Sequence, residues 1–209
     1  MKVVVSVFVL LLGVAFCYSQ ETQTVTERAR QLRMDSYKIL SSTPHRVKIT
    51  IESRATEESP WELYSSMTDE VASPTRRHVV QHFGPGTLRR EYIYIDRQTY
   101  MKLLPDGPWQ LLPDSYTGAT VRQLGGVSSS AIDERKDGNV VDTRSQGRLQ
   151  VIRTGEIVDL DTKTKEWFDD SGRLIRTEVE QWNHDRKRFQ RRTEEFQYDP
   201  TIKVEAPIN

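Results

Sequence analysis

The chain has 209 residues, with 30 basic and 30 acidic side chains and no formal net charge. Such a balance supplies no global field to draw in nucleic acid or an anionic membrane, which excludes charge-driven binding to either. A single cysteine, Cys17, excludes internal disulfides and paired-thiol chemistry.

Residues 1–19, MKVVVSVFVLLLGVAFCYS, carry an early cation at Lys2 and an apolar run from Val3 to Phe16. A spanning helix needs about 20 apolar residues, so the run reads as a secretory signal peptide. Cys17 and Ser19 put small residues three and one before the cut. Lipidation of Cys17 is the competing fate, and the large Phe16 immediately before it argues against that. Removal of residues 1–19 takes Lys2 and the only cysteine, leaving a net charge of −1 on a single mature domain, 20–209. A disulfide-free exported chain of roughly 190 residues suits a periplasm-like space, with secretion as the alternative.

Thr22 to Leu40 reads as a helix. Thr24 and Glu27 have the spacing of a capping box, Val25, Ala29, Leu32, Ser36 and Ile39 form an apolar stripe, and Pro44 ends it. From His45 to Arg54, Val47, Ile49 and Ile51 alternate with Lys48, Thr50 and Glu52, the pattern of a half-buried strand. Further strand signals follow at Trp61–Met67, Arg76–Phe83, Arg89–Asp96, Thr99–Leu104 and Trp109–Leu112, separated by Gly/Pro/Asp turns. The stretch 113–138 has glycine and serine but little alternation, and it reads as a mobile loop with a short helix from Tyr116 to Leu124. Strand signals resume at Asn139–Arg144, Arg148–Thr154, Glu156–Asp161 and Lys165–Phe168, separated by turn residues at SQG, TG and DTKT. The turn DDSG at 169–172 then leads to a long hairpin, Arg173–Asn183 and Arg188–Tyr198. About ten antiparallel strands in one sheet imply curling.

The chain lacks a Ser-His-Asp signature, a phosphate-cradling glycine loop and a dinucleotide fingerprint, so no catalytic residue is assigned. His78 and His82 lie four apart on a strand, which separates them by about 13 Å and rules against one shared metal. His45 and His184 sit beside turns and read as surface residues. Asp159 and Asp161 share a face, though acidic turns are ordinary and no cofactor or metal is expected. Arg186, Lys187, Arg188, Arg191 and Arg192 form the densest basic cluster, suited either to an anionic headgroup or partner or to a salt-bridged sheet face. Trp61, Trp109, Trp167 and Trp182, with Tyr64, Tyr92, Tyr94 and Tyr100, fall on strands or their edges. Aromatics in a curled sheet fill a core or line a ligand cavity.

Two closing stretches, WFDDSGRLIRTEVE at 167–180 and FQYDPTIKVEAPI at 196–208, resemble the LolA-type lipoprotein-carrier superfamily, as does the order of helix, strands, central loop and further strands. The resemblance implies a mainly β, α+β fold: a half-open antiparallel sheet, an incomplete β-barrel, lidded by helices. It implies a non-catalytic protein that binds a lipid or the acyl chains of a lipoprotein and carries them across the cell-envelope space as a monomer. The family's lid-latching arginine is not assigned here, since Arg46 and Arg54 both lie in the first strand. On this reading Val47, Ile49, Ile51, Leu63, Ile93, Ile95, Met101, Leu103, Trp109 and Trp167 line the concave apolar face. Helix 22–40 and loop 113–138 form the lid. The alternative is an envelope interaction or sensor module that works through its sheet edge or the basic hairpin.

Overall fold

The computed structural model describes residues 27–84, 88–112, 121–135, 138–151, 157–183 and 187–207. One helix, α1, spans 27–42 of the described residues. Eleven strands follow: β1 His45–Arg54, β2 Glu62–Ser73, β3 Arg76–Phe83, β4 Leu88–Ile95, β5 Gln98–Leu104, β6 Gln110–Leu112, β7 Val121–Arg135, β8 Gly138–Val151, β9 Ile157–Asp169, β10 Leu174–Asn183 and β11 Arg188–Tyr198. They form one antiparallel sheet in the order β6-β5-β4-β3-β2-β1-β11-β10-β9-β8-β7. The ends β6 and β7 do not pair with each other, so the sheet is half-open, as the sequence implies.

Two meanders, β1–β6 and β7–β11, meet at the β1–β11 seam. There ten residue pairs run from His45 opposite Tyr198 to Arg54 opposite Phe189. Directly opposed residues share a face, so between the bulges near the strand ends the register carries one parity from strand to strand. Val47 is paired with Asp69 and Phe196, Asp69 with Val79, Val79 with Tyr92, and Tyr92 with Met101. On the other side of the seam, Ile49 is paired with Glu194, Glu194 with Thr177, and Thr177 with Glu166. These residues lie on the face that α1 covers.

The helix packs over β7–β10. Ala29, Val141 and Phe168 form its buried cluster, with Leu32, Ile132 and Leu174 packed around them. Ala29, Leu32, Ser36 and Ile39 face inward as the 3.6-residue stripe requires. Val25, Thr24 and residues 1–26 as a whole, the signal-peptide reading included, lie outside the described residues. Gly138 begins β8 at φ +139, where a Cβ would run into the Phe168 backbone, so a glycine is needed there.

The expected loop at 113–138 is corrected over its described part. Residues 121–135 are strand β7, paired with β8 over almost their full length, and Val121–Leu124 is extended, not helical. Tyr116 and the rest of 113–120 lie outside the described residues. Pairing to a long neighbour satisfies the backbone, so a Gly/Ser-rich segment without alternation still becomes strand. For the same reason SQG at 145–147 and DTKT at 161–164 continue through β8 and β9 instead of turning. His45, expected at the surface, is buried and bonds through Nδ1 to the Thr43 carbonyl at 2.8 Å.

Asp169 closes the β9–β10 turn. Its carboxylate accepts from the Ser171 N–H at 3.0 Å, the Ser171 hydroxyl at 2.7 Å, the Arg173 N–H at 2.9 Å and Arg173 Nε at 2.8 Å. Burial pushes this carboxyl up, and those donors more than reverse it, holding it below its ordinary 3.8. The contribution to stability is therefore complete above pH 3.8 and is lost as pH falls through the depressed folded value. Acid unfolding followed by circular dichroism is expected to be shallower below that pH in Asp169→Asn than in the parent. Phe168→Ala removes the largest side chain of the helix–sheet cluster and is expected to cost about 3–5 kcal/mol in urea unfolding.

Candidate functional site

From Arg28 to Ser36, α1 is fastened to the sheet by polar contacts at the edge of its apolar stripe. Ser36 Oγ accepts the Leu174 N–H at 2.9 Å. Arg33 donates from Nε to Glu166 Oε2 at 2.5 Å and from Nη2 to Thr143 Oγ1 at 2.5 Å, and Arg28 is ion-paired with Glu134. Tyr198 Oη donates to the Leu174 carbonyl at 3.0 Å, tying β11 to the same place. At the C-terminal end, the Ser41 and Ser42 hydroxyls and the Thr43 N–H take up the Lys38 and Ile39 carbonyls.

Two hollows flank the C-terminal part of α1 and share Tyr37 and Leu40 as their common wall. The first, about 480 Å³, has a floor of Val47, Ile49, Met67, Val71 and Phe196 and is rimmed by the helix end and the turn at 72–74. The second, about 460 Å³, lies against Met34, Phe168 and Leu174, with Arg33 and Glu166 at its side. Each is within the size range of a small-molecule site. A third hollow, about 580 Å³, lies mostly along the outer face of β7–β10 among Asp142, Arg144, Lys163, Lys165, Glu178 and Glu180. Its charges form a ladder, with Lys165–Asp142 at 3.5 Å and Arg144–Asp161 at 2.7 Å, the ordinary dressing of a solvated sheet face.

Charge enters the first hollow in two pairs. Asp69 is buried on β2, and Arg77 on β3 donates to it from Nε and Nη2. The Asp69 bond holds the Arg77 guanidinium above its ordinary value, burial opposing this less strongly. Arg192 pairs with Glu194 two residues further along β11. On the opposite face His78 bridges two carboxylates, Glu70 at 3.2 Å and Glu91 at 2.8 Å, while Arg46 reaches Glu70 at 2.7 Å. Among the described residues no group of three or more acidic, histidine or cysteine side chains is placed to hold a metal.

The structure divides the residues that the sequence groups on one concave face. Val47, Ile49, Ile51, Met101 and Leu103 lie on the helix face, and Val47 and Ile49 line the first hollow. Ile93 is paired with His78 and Trp167 with Val140, which puts both on the outer face, and Ile95 shares the parity of Ile93. Leu63 is exposed at the bulged end of β2, and Trp109 precedes β6, with Lys102 Nζ 5.9 Å from its ring. The basic cluster is also divided. Arg192 faces the first hollow, whereas Arg191 bonds Glu52 at 2.8 Å and lies 4.6 Å from the Trp61 ring centre. Arg188 reaches Glu62 at 3.3 Å, Lys187 is an exposed turn residue at φ 50, and Arg186 lies outside the described residues.

Sequence reading missed Met67, Asp69, Val71 and Arg77 on β2 and β3, and Met34, Tyr37, Leu40, Phe168 and Leu174 around the helix. A signal was present for the first group. Ser65, Met67, Asp69 and Val71 keep a period of two, and one acidic residue in the row hides it. Ser36→Ala leaves the Leu174 N–H without its acceptor and is expected to cost about 1–3 kcal/mol. Hydrogen exchange should show faster opening of 27–42 and of the β10 start while β2–β4 keep their protection.

No protein-family model matches the chain, and no curated protein sequence matches it. Among solved structures it is similar to LprF from Mycobacterium bovis, at 12% identity and a TM-score of 0.44, over 88% of this chain and 98% of that one. It is also similar to a LolA superfamily protein from Nitrosomonas europaea, at 11% identity and a TM-score of 0.35, over 88% and 94%. A DUF1329 family protein from Desulfovibrio piger matches at 6% identity and a TM-score of 0.35, over 86% and 95%. At such TM-scores none of them hands a residue's role to this chain.

Proposed function

We propose that the chain is an exported, non-catalytic binding protein that takes the acyl chains of a lipid, or of an acylated lipoprotein, into the two hollows beside α1. The observation that carries this reading is the pair of hollows themselves. An apolar one against Met34, Phe168 and Leu174 adjoins, across Tyr37 and Leu40, one floored by Val47, Ile49, Met67 and Phe196. Each methylene moved from water onto such a surface contributes about 0.8 kcal/mol, so even part of an acyl chain is held firmly. The signal-like leader at 1–19 gives the reason for export: hydrocarbon needs a carrier wherever it must cross water. The helix is anchored at Arg33 and Ser36, and the wall that the two hollows share, Tyr37 and Leu40, begins just beyond those anchors.

The test is direct. Mature protein, denatured after purification and analysed by mass spectrometry, is expected to release bound lipid. Refolded protein is expected to take up a fluorescent fatty acid. Met34→Asp and Leu40→Asp, both at the rim and not in the packed cluster, are expected to weaken uptake at least about tenfold, the equivalent of two buried methylenes. Protein that carries no lipid and takes up the probe equally well with either substitution would overturn the reading. Weight would then pass to the alternative, interaction through the sheet edge, where β7 offers fifteen residues of strand at the end of the sheet.

A further inference from the structure

The two ion pairs of the first hollow are built the same way round. The Asp69 side chain is 5% exposed and its partner Arg77 is 47% exposed. The Glu194 side chain is 22% exposed and Arg192 48%. In each pair the carboxylate lies inside and the guanidinium outside, so the hollow presents positive charge although its formal charges balance. A buried carboxylate also does more than neutralise. Asp69 engages the Nε and Nη2 groups of Arg77, which fixes the plane of the fork and leaves Nη1 outside the pair. Tyr94, directly opposite on β4, has its ring centre 5.8 Å from the same guanidinium. Arg77 therefore loses little further freedom when it receives an oxyanion.

Resting on the lipid-binding reading above, we propose that the ligand is an anionic amphiphile whose carboxylate or phosphate head is received by Arg77 at the mouth of the first hollow. Its hydrocarbon runs from there over Val47, Ile49 and Met67. Arg77 stands beside the 72–74 turn that rims the hollow, where a head remains in contact with water. Arg192 is the weaker receiver. Its Nε and Nη2 both spend themselves on one oxygen, Glu194 Oε1, and that carboxylate stays partly open to solvent.

The experiment compares cis-parinaric acid with its methyl ester, equal in tail and different in head charge, by fluorescence titration of the delipidated mature protein. The acid is expected to bind about tenfold more tightly than the ester, the scale of one hydrogen bond to a charged group. In Arg77→Gln the two probes are expected to bind alike, and Arg77→Lys is expected to restore part of the difference. The double variant Asp69→Asn/Arg77→Gln, which strands no buried carboxylate, is expected to behave as Arg77→Gln does. Arg144→Gln, on the outer face, serves as the charge control and is expected to keep the full difference. Inorganic phosphate alone, at millimolar concentration, is expected to leave the bound acid in place. Equal binding of acid and ester by the parent overturns the proposal and leaves the lipid-binding reading standing. Failure of both probes to bind overturns both. Phosphate that binds as tightly as the acid marks a free-anion site and overturns the anionic amphiphile.

Discussion

Everything in this fold depends on the pairing of its first strand with its last. β1 and β11 are separated by most of the chain, yet they form the centre of the sheet, with His45 opposite Tyr198 and Arg54 opposite Phe189. Each meander could form from local hairpins. Only the seam makes them one surface and decides which side of β1–β6 continues the side that α1 covers in β7–β11. Because side chains alternate with a period of two, a slip of one residue at the seam would turn Val47 and Ile49 away from Phe196 and Glu194 and erase the first hollow. Such a long-range closure is entropically expensive and slow, and the reward must come from burial along the seam. Val47, Ile49, Ser53 and His45, all buried, supply it from β1.

The seam also explains why there is room for a ligand. A sheet of eleven strands has more helix-side surface than one sixteen-residue helix can cover, and α1 is held over β7–β10 by Ser36, Arg33 and Ala29. The helix-side apolar row of β1, β2 and β11 is left to its own devices just where α1 ends. Among the described residues no second helix lies there, so that row meets only long polar side chains and open space. Arg77 and Arg192 line its edge, and the floor is Val47, Ile49, Met67 and Phe196.

Local pattern made β1, β3, β5, the hairpin β10–β11 and the inward stripe of α1 legible in the sequence, because each alternates or repeats cleanly and is bounded by a strong turn. The antiparallel, half-open, mainly β character followed from those elements and from the resemblance at 167–180 and 196–208. Three things were not legible, each for a physical reason. β7 has no amphipathic pattern, and only the presence of β8 makes 121–135 extended. DTKT and SQG carry turn-prone residues that long partners override within β8 and β9. The concave face was mixed because Ile93, Ile95 and Trp167 are as apolar as Val47 and Ile49, and hydrophobicity alone does not tell which face of a sheet a strand offers. That assignment needs the register, and the register runs through pairs such as Glu70–His78–Ile93 that no local pattern announces. The same blindness split the basic run, since neighbours Arg191 and Arg192 necessarily point to opposite faces.

The last consequence concerns why an apolar floor should contain Asp69 at all. A buried carboxylate with a single arginine partner is a poor source of stability, since desolvation offsets much of the Coulomb attraction and an apolar pair of similar volume would serve the fold as well. Its cross-strand neighbours, Val47 and Val79, show that the position tolerates aliphatic packing on both sides. What an aliphatic pair cannot do is hold a guanidinium in a fixed plane at the surface of a hydrophobic hollow. The arrangement thus makes physical sense as positioning: the acid lies where water does not compete with it, and the cation is turned toward whatever enters. A hollow built for hydrocarbon alone has no use for that orientation, whereas one built for hydrocarbon with a charged end does.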